Sequence, residues 1–267
     1  MDLPSRLYKY QRVSATSLQN LKFCKLWFSA PASFNDPFDC ALKVIREPEV
    51  DLERVWAHLE ARSEIDPSFA ASMRPDGEFS DEFRRSTLDG IRNAFERQRH
   101  ENLYNRGVAC FSTKNDDILM WSHYADGHRG FCLEFNTQCD PFNRARPVHY
   151  ASEVPALDPV DYLEYDATKR NPLESMMQTK SACWEYEAEW RLIHMQANLE
   201  YSYDFRALTG VYFGSAMPEE QMSVIAQLLL GAPTKLFRMR ARELEFSVAS
   251  EPVDYVPFDY AGGEPSA

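Results

Sequence analysis

Lys180-Ser181-Ala182-Cys183-Trp184-Glu185-Tyr186-Glu187-Ala188-Glu189-Trp190-Arg191 sets two carboxylates two residues apart and then runs into an apolar alternation, Trp190 and Leu192, with Arg191 and Ile193 between. In an extended chain residues two apart share a face, so Glu187 and Glu189 are expected side by side where a loop becomes a strand. Two crowded acids resist ionising together, which raises the pKa of one of them. Such a pair suits polarising a hydroxyl or stabilising developing positive charge. The structural alternative is a solvated strand entrance at which Arg191 neutralises the acids.

On either side, short strands mix with helices. Arg6 to Gln11 is an aromatic-rich strand, and Thr16 to Gln19 has capping-box spacing for a short helix that carries Leu18 and Leu21 inward. Leu26 to Ser29 is a second strand ended by Pro31, followed by the turn-forming block Phe34-Asn35-Asp36-Pro37-Phe38-Asp39. From about 47 to 106 the chain turns charged and helical, with Leu52, Val55, Trp56 and Leu59 on one face and Leu88, Ile91 and Phe95 on another, interrupted at Pro67 and Arg74-Pro75-Asp76-Gly77. Strand patterns return at 107–112, 130–135, 147–150, 188–195 and 210–213, a helix is capped near Asn115-Asp116-Asp117, and a mixed, helical stretch leads to Lys180. A helix over 218–230 and a strand pair over 236–248 close the chain. This mixture without regular βαβ alternation argues an α+β fold. It is expected as a single domain over 1–261, with a charged helical insertion at about 47–106 and a disordered tail at 262–267.

Composition narrows the function. The 267 residues are 44% hydrophobic and 26% charged, ordinary for a globular chain with a packed core. No apolar run approaches a membrane span, and the start Met1-Asp2-Leu3-Pro4-Ser5-Arg6 has no signal-peptide pattern, so a cytoplasmic protein without membrane contact is expected. The six cysteines have no paired Cys-x-x-Cys spacing and suit reduced, mostly buried thiols. A net charge of −12 disfavours polyanion binding through the overall field. The basic tracks Arg238, Arg240, Arg242 and Arg84, Arg85, Arg92, Arg97, Arg99 are expected as solvated faces. No Gly-x-Gly-x-x-Gly, P-loop or Gly-x-Ser-x-Gly elbow occurs.

Two further blocks could form a pocket. Met120 to Phe131 gathers Trp121, His123, Tyr124, Asp126, His128 and Arg129 at a helix end, fit for a general base or for gripping a ring and a phosphate. Its histidines lie five apart, which is not metal spacing, and the alternative is a packed helix-to-strand corner turned by Gly127 and Gly130. Phe34, Asn35 and Asp36 could line a pocket, or form an Asx turn on their own backbone. A metal-nuclease site would draft Asp36, Asp39, Asp116, Glu187 and Glu189 but lacks an acid-x-Lys pairing, so no metal is expected.

Taken in order, these motifs resemble a bacterial family known as domain of unknown function 2971. The residues that carry this are Leu7-Tyr8-Lys9-Tyr10, Leu26-Trp27-Phe28-Ser29, Phe34 to Asp39, Cys110-Phe111-Ser112, Met120 to Tyr124 with Gly130-Phe131, Lys180 with Trp184 to Arg191, and Val211 to Gly214. More distantly, a polar residue on the first strand, an aromatic second strand and a late strand entered by Glu-x-Glu resemble the ADP-ribosyltransferase fold, a split mixed or antiparallel sheet with flanking helices. That resemblance implies NAD as substrate, a macromolecular acceptor, protein or nucleic acid, and an effector role in stress response or phage defence. It implies that Glu189 stabilises the oxocarbenium-like transition state, that Glu187 activates the acceptor, and that Lys9, Tyr10 and Ser29 hold the dinucleotide. Phe34, Asn35, Asp36, Trp121, His123 and Tyr124 would wall the pocket. Lys9 stands where such enzymes carry His or Arg, and their serine motif corresponds here to Ser112 or Ser29. The alternatives are an inactive binding module of the same fold and a nucleic-acid-processing enzyme.

Overall fold

The computed structural model describes residues 2–40, 43–44, 51–62, 65–157 and 176–255. The tail at 262–267 and most of the stretch before Lys180 lie outside the described residues. The chain divides into two compact units: Met1–Ser29, Gly107–Val148 and Cys183–Ala267 form the first, and Ala30–Arg106 with His149–Ala182 the second.

The first unit is α+β. Its elements are β1 (Arg6–Gln11), α1 (Ala15–Lys22), β2 (Lys25–Phe28), β4 (Gly107–Ser112), α5 (Ile118–Tyr124), β5 (Phe131–Asn136), β6 (Arg146–Pro147), β10 (Glu189–His194), β11 (Leu199–Ser202), β12 (Leu208–Phe213), α6 (Glu219–Leu228), β13 (Lys235–Ala241) and β14 (Val248–Pro252). Eight strands join in the order β14-β13-β12-β5-β1-β4-β10-β6. Every neighbouring pair is antiparallel except β12 and β13, which run parallel and are connected through α6, the crossover a parallel pair requires. β1 is bonded to β5 along its whole length, from Arg6 opposite Asn136 to Gln11 opposite Phe131, but meets β4 at one position, Tyr8 opposite Ser112. The β1–β4 pairing is thus the shortest contact of β1 within the sheet.

Side-chain alternation divides the sheet into two faces. Leu7, Ala109, Phe111, Leu133, Phe135, Trp190, Leu192, Val211 and Phe213 pack with Leu21 of α1 and Ile225 of α6 in the larger core. The opposite face carries Tyr10, Cys132 and Tyr212, covered by Met120, Trp121 and Ala125 of α5. β2 lies outside the main sheet, pairs with β11, and is tied to β4 by a bridge between Ser29 and Val108.

Three local expectations shift. The capping box lies two residues before Thr16: Ser14 accepts from the backbone N–H of Ser17, and Ser17 reaches back to the Ser14 N–H. Leu21 is buried while Leu18 only flanks the core. The strand expected at 147–150 is two short pieces, β6 in the first unit and a strand from His149 in the second.

The second unit holds β3 (Lys43–Val44), α2 (Leu52–Ala61), α3 (Pro67–Met73), α4 (Asp81–His100), β7 (His149–Ala151), β8 (Ala156–Leu157) and β9 (Thr179–Ser181). The charged block is helical as its periodicity predicts. Pro67, expected as an interruption, opens α3 at its first position, where its missing N–H costs nothing, and Asp66 caps it. Trp56 packs with Phe69, Phe79 and Phe83, and the Arg74 guanidinium lies 4.5 Å from the Phe79 ring centre. α4 carries its arginines outward, with Arg92 on Asp89 and Arg99 on Glu96. Two-stranded parallel pairs join β3 to β8 and β7 to β9.

Candidate functional site

Register brings three side chains of the first unit into one line. Glu189 opens β10 opposite Ser112 of β4, and Ser112 is opposite Tyr8 of β1. One strand further, Glu134 of β5 lies opposite Tyr8. Neighbours at the same register project from the same face, so Glu189, Ser112, Tyr8 and Glu134 form a row across four strands.

Glu187 and Glu189 do not share the strand relation their spacing predicts. Glu187 ends a 3-10 turn over Ala182–Glu187, and Ala188 takes a left-handed φ of +45° before the strand begins. This non-glycine backbone reversal, a conformation L residues rarely adopt, sends the two carboxylates to different partners. Glu187 accepts a 2.6 Å hydrogen bond from the Tyr124 hydroxyl. Glu189 is gripped by Arg191, whose Nε and Nη2 donate to its two oxygens at 2.7 and 3.1 Å. Glu187, Glu189 and Arg191 are 3%, 4% and 0% exposed, so the Glu189–Arg191 pair is a buried, bidentate ion pair rather than a solvated one.

The turn that carries Glu187 is fastened to the end of β4. The Ser112 hydroxyl donates to the Glu187 carbonyl at 2.7 Å, the Thr113 N–H to the Ala188 carbonyl, and the exposed Lys114 ammonium to the Tyr186 carbonyl at 3.4 Å. Above it His123 Nδ1 lies 3.1 Å from the Tyr186 hydroxyl. His123 meets Tyr124, Trp184 and Tyr186 edge-on, and Trp184 and Tyr186 meet at a tilt, with centroids 6.0–6.4 Å apart.

The other expected site residues distribute as follows. Lys9 projects to the face opposite Tyr8 and Tyr10: its ammonium donates to the Cys110 carbonyl at 3.1 Å and lies 5.2 Å from the Phe111 ring centre. Burial pushes the Lys9 pKa down, opposed by Cys110 and Glu189, and burial pushes the neighbouring Cys110 thiol up, reinforced by Glu189. Tyr10 is buried and donates to the Lys114 carbonyl. Trp121 is wholly buried, donates from Nε1 to the Asn115 carbonyl, and meets Tyr10 edge-on at 5.1 Å. Ser29 joins Val108 through its backbone. Phe34, Asn35 and Asp36 lie in the second unit, where Asp36 Oδ1 accepts from the Phe38 N–H at 2.9 Å as an Asx turn does. Of the six free cysteines Cys40 and Cys132 are buried, Cys183 is exposed and the rest are intermediate, fewer in the core than the sequence suggests. Among the described residues no group of three His, Cys, Asp or Glu side chains is placed to hold a metal ion.

Sequence reasoning missed Glu134. It accepts from Tyr8 at 3.2 Å, Tyr212 at 2.7 Å and Thr209 at 2.6 Å, with Arg6 at 3.4 Å. Tyr212 in turn stacks on Phe237 at 4.6 Å. Burial and then the Glu134 carboxylate push the Tyr8 pKa up to about 12, and the same causes raise Tyr212. A raised acid pKa contributes stability below its ordinary value near 10, lost as pH rises through the folded value. Spectrophotometric titration should therefore show Tyr8 and Tyr212 ionising only in the window from pH 10 to about 12 and beyond, as the fold loosens. Glu134→Gln should move that late phase to lower pH; an unmoved titration would show that Glu134 does not act on these phenols.

Residues 120–192 match the model of a family described as protein of unknown function (DUF2971), which supports the family resemblance over the stretch from α5 to β10. No curated protein and no solved structure matches the chain.

Proposed function

We propose that the protein is ADP-ribosyltransferase-like, taking NAD as substrate and moving ADP-ribose to a macromolecule or to water. The observation that carries this reading is the row Glu189–Ser112–Tyr8, across the single-position pairing of β1 with β4. The expected late-strand glutamate and a serine on the adjacent strand are thereby neighbours, which favours Ser112 over Ser29 as the counterpart of the serine motif. The first-strand member of the row is Tyr8, not Lys9.

The chemistry breaks the glycosidic C–N bond of NAD. Its electron pair leaves with neutral nicotinamide, positive charge spreads over the ribose carbon and ring oxygen, and a nucleophile attacks that carbon as its proton passes to a base. Arg191 donates to both Glu189 oxygens, and Glu189 would meet the ribose as a carboxylate already held in place. Arg191 thus fixes the orientation of Glu189 while reducing its net field. Glu187, hydrogen-bonded to Tyr124, would accept the nucleophile's proton. The His123, Trp184 and Tyr186 rings suit a flat base, and Lys114 at the same turn offers the charge for phosphate that the buried Lys9 ammonium does not. Action in the bacterial cytoplasm, in stress response or phage defence, belongs to the same proposal.

A second reading, an inactive nucleotide- or partner-binding module, is favoured by the neutralising Glu189–Arg191 contact. The charge of −12 weighs against nucleic-acid processing. Incubating the protein with NAD and cell lysate, read by mass spectrometry, separates these. Wild type should release nicotinamide and form ADP-ribosyl adducts; Glu189→Gln should lower both by about 10²–10³, the effect of losing one preorganised electrostatic group. Glu187→Gln should cut adduct formation more than hydrolysis. Equal product from wild type and a folded Glu189→Gln would sink the catalytic assignment. No product, with a stability gain of about 2.7 kcal/mol at NAD 100 times its Kd, would support the binding module. Neither product nor shift at millimolar NAD would remove both.

A further inference from the structure

A cavity of about 700 Å³ opens in the first unit between α5, the turn at His128, Ser215 and the loop joining β13 to β14. That volume is ample for a small organic ligand. Ile118 and Ser122, one helical turn apart, face it. At 100° per residue Tyr124 points some 200° beyond Ser122, so the cavity and the Glu187 carboxylate lie on different sides of α5. The cavity is therefore a separate site, independent of the ADP-ribosyl reading.

Hydrogen bonding determines what its floor presents. The Ser122 hydroxyl donates to the Ile118 carbonyl at 2.8 Å, so its single proton is used. Toward His128 Nε2, 3.3 Å away, Ser122 can only accept, which places the imidazole proton on Nε2. His128 Nδ1 is then an acceptor for the Ser215 hydroxyl at 3.5 Å. Burial lowers the His128 pKa and keeps the ring neutral at pH 7, and the ring stacks on Trp121. Both serine protons thus point to protein groups, and the oxygens offer lone pairs. The floor accepts hydrogen bonds and carries no positive charge.

The rim continues this bias. Arg242 is paired with Glu245 at 3.1 Å, while Glu243 makes no ion pair among the described residues, so the loop has a net negative charge. The same loop holds Leu244 and Phe246 almost wholly in water, at 97% and 99% exposure, beside Ile118. Exposed aromatic and branched side chains at the mouth of a cavity gain by covering an apolar body.

We propose that this cavity binds a small organic cation with an apolar body, a primary arylalkyl- or alkylammonium compound. Its N–H groups meet the Ser122 and Ser215 oxygens and the Glu243 carboxylate, and its hydrocarbon lies against Ile118, Leu244 and Phe246. Titration calorimetry of the full chain with phenethylamine, phenethyl alcohol and hydrocinnamate tests this, because the three share a body and differ in the head. Phenethylammonium should bind with millimolar or tighter Kd, the alcohol about 10-fold more weakly and hydrocinnamate with no measurable heat. Phe246→Ala, at a fully exposed position that folding does not need, should weaken the amine about 10-fold. Glu243→Gln should weaken it about 3-fold and make binding less salt-dependent. Hydrocinnamate binding as tightly as the amine, an affinity unchanged in both variants, or no binding of the amine at 10-fold above millimolar concentration would each overturn the assignment.

Discussion

Glu189→Gln is expected to lower the unfolding free energy by about 3–5 kcal/mol, the cost of breaking a buried ion pair from one side. Arg191 is wholly buried, and its Nε and Nη2 both donate to Glu189. A glutamine oxygen could keep one of these bonds, but its amide would oppose the other and its charge would be gone. Replacing both residues at once should behave differently: Glu189→Leu with Arg191→Met removes the uncompensated charge and should cost less than Glu189→Gln alone, since apolar pairs often substitute for buried ion pairs without loss. Urea unfolding of wild type, Glu189→Leu, Arg191→Met and the double variant closes a double-mutant cycle that reads the coupling. A single variant as stable as wild type would show that water reaches Arg191 and that the pair is not buried in solution. The result also bears on the NAD assay, which needs Glu189→Gln at a temperature well below its lowered Tm.

Much of the first unit was legible because its strands are short and alternate cleanly. Trp190 and Leu192 do enter the core, Leu7 lies inward on β1, and Asp117 caps α5 by accepting from the Leu119 and Met120 N–H groups. Periodicity reports which side chains of one strand share a face, but not which strand lies alongside. The row from Glu189 through Ser112 and Tyr8 to Glu134 depends on pairings between residues 77 to 126 positions apart, and no local pattern encodes them. Glu134 in Phe131-Cys132-Leu133-Glu134-Phe135 was open to detection as the one charge within an apolar strand, where burial demands partners.

The Glu-x-Glu motif was misread for a different reason. Its i, i+2 argument assumed extended backbone through Ala188, whose positive φ nothing in Glu-Ala-Glu announces. Alanine lacks the freedom of glycine there, so the conformation is held by the turn bond from the Ala188 N–H to the Glu185 carbonyl and by the long-range bond from the Thr113 N–H to the Ala188 carbonyl. Lys9 follows the alternation of β1: a residue between Tyr8 and Tyr10 faces away from both. The arginines at 238 and 240 alternate on β13 as their spacing predicts, Arg242 lies just past its end, and each meets a glutamate, at 219, 251 and 245.

Trp121→Ala should be the other costly substitution, by about 3–5 kcal/mol, the range for emptying a buried aromatic site. Trp121 has no exposed surface, and its ring is enclosed by Tyr10 edge-on at 5.1 Å and by His128 stacked at 6.3 Å. Its indole N–H satisfies the Asn115 carbonyl just before α5, so the truncation also leaves that acceptor to find water. Trp121→Phe separates the two contributions: most of the packing stays, the hydrogen bond goes, and the loss should fall to about 1–3 kcal/mol. A cycle pairing Trp121→Phe with Tyr10→Leu should show coupling of about 0.5–1.5 kcal/mol, as edge-to-face rings do. Because Trp121 supports α5 and the His128 ring from beneath, its loss should loosen Tyr124 over Glu187 and Ser122 over the cavity together. Hydrogen exchange across α5 reads this directly. Faster exchange confined to Asn115–Asp117, with α5 itself unchanged, would show that the helix is held by its cap and not by the tryptophan.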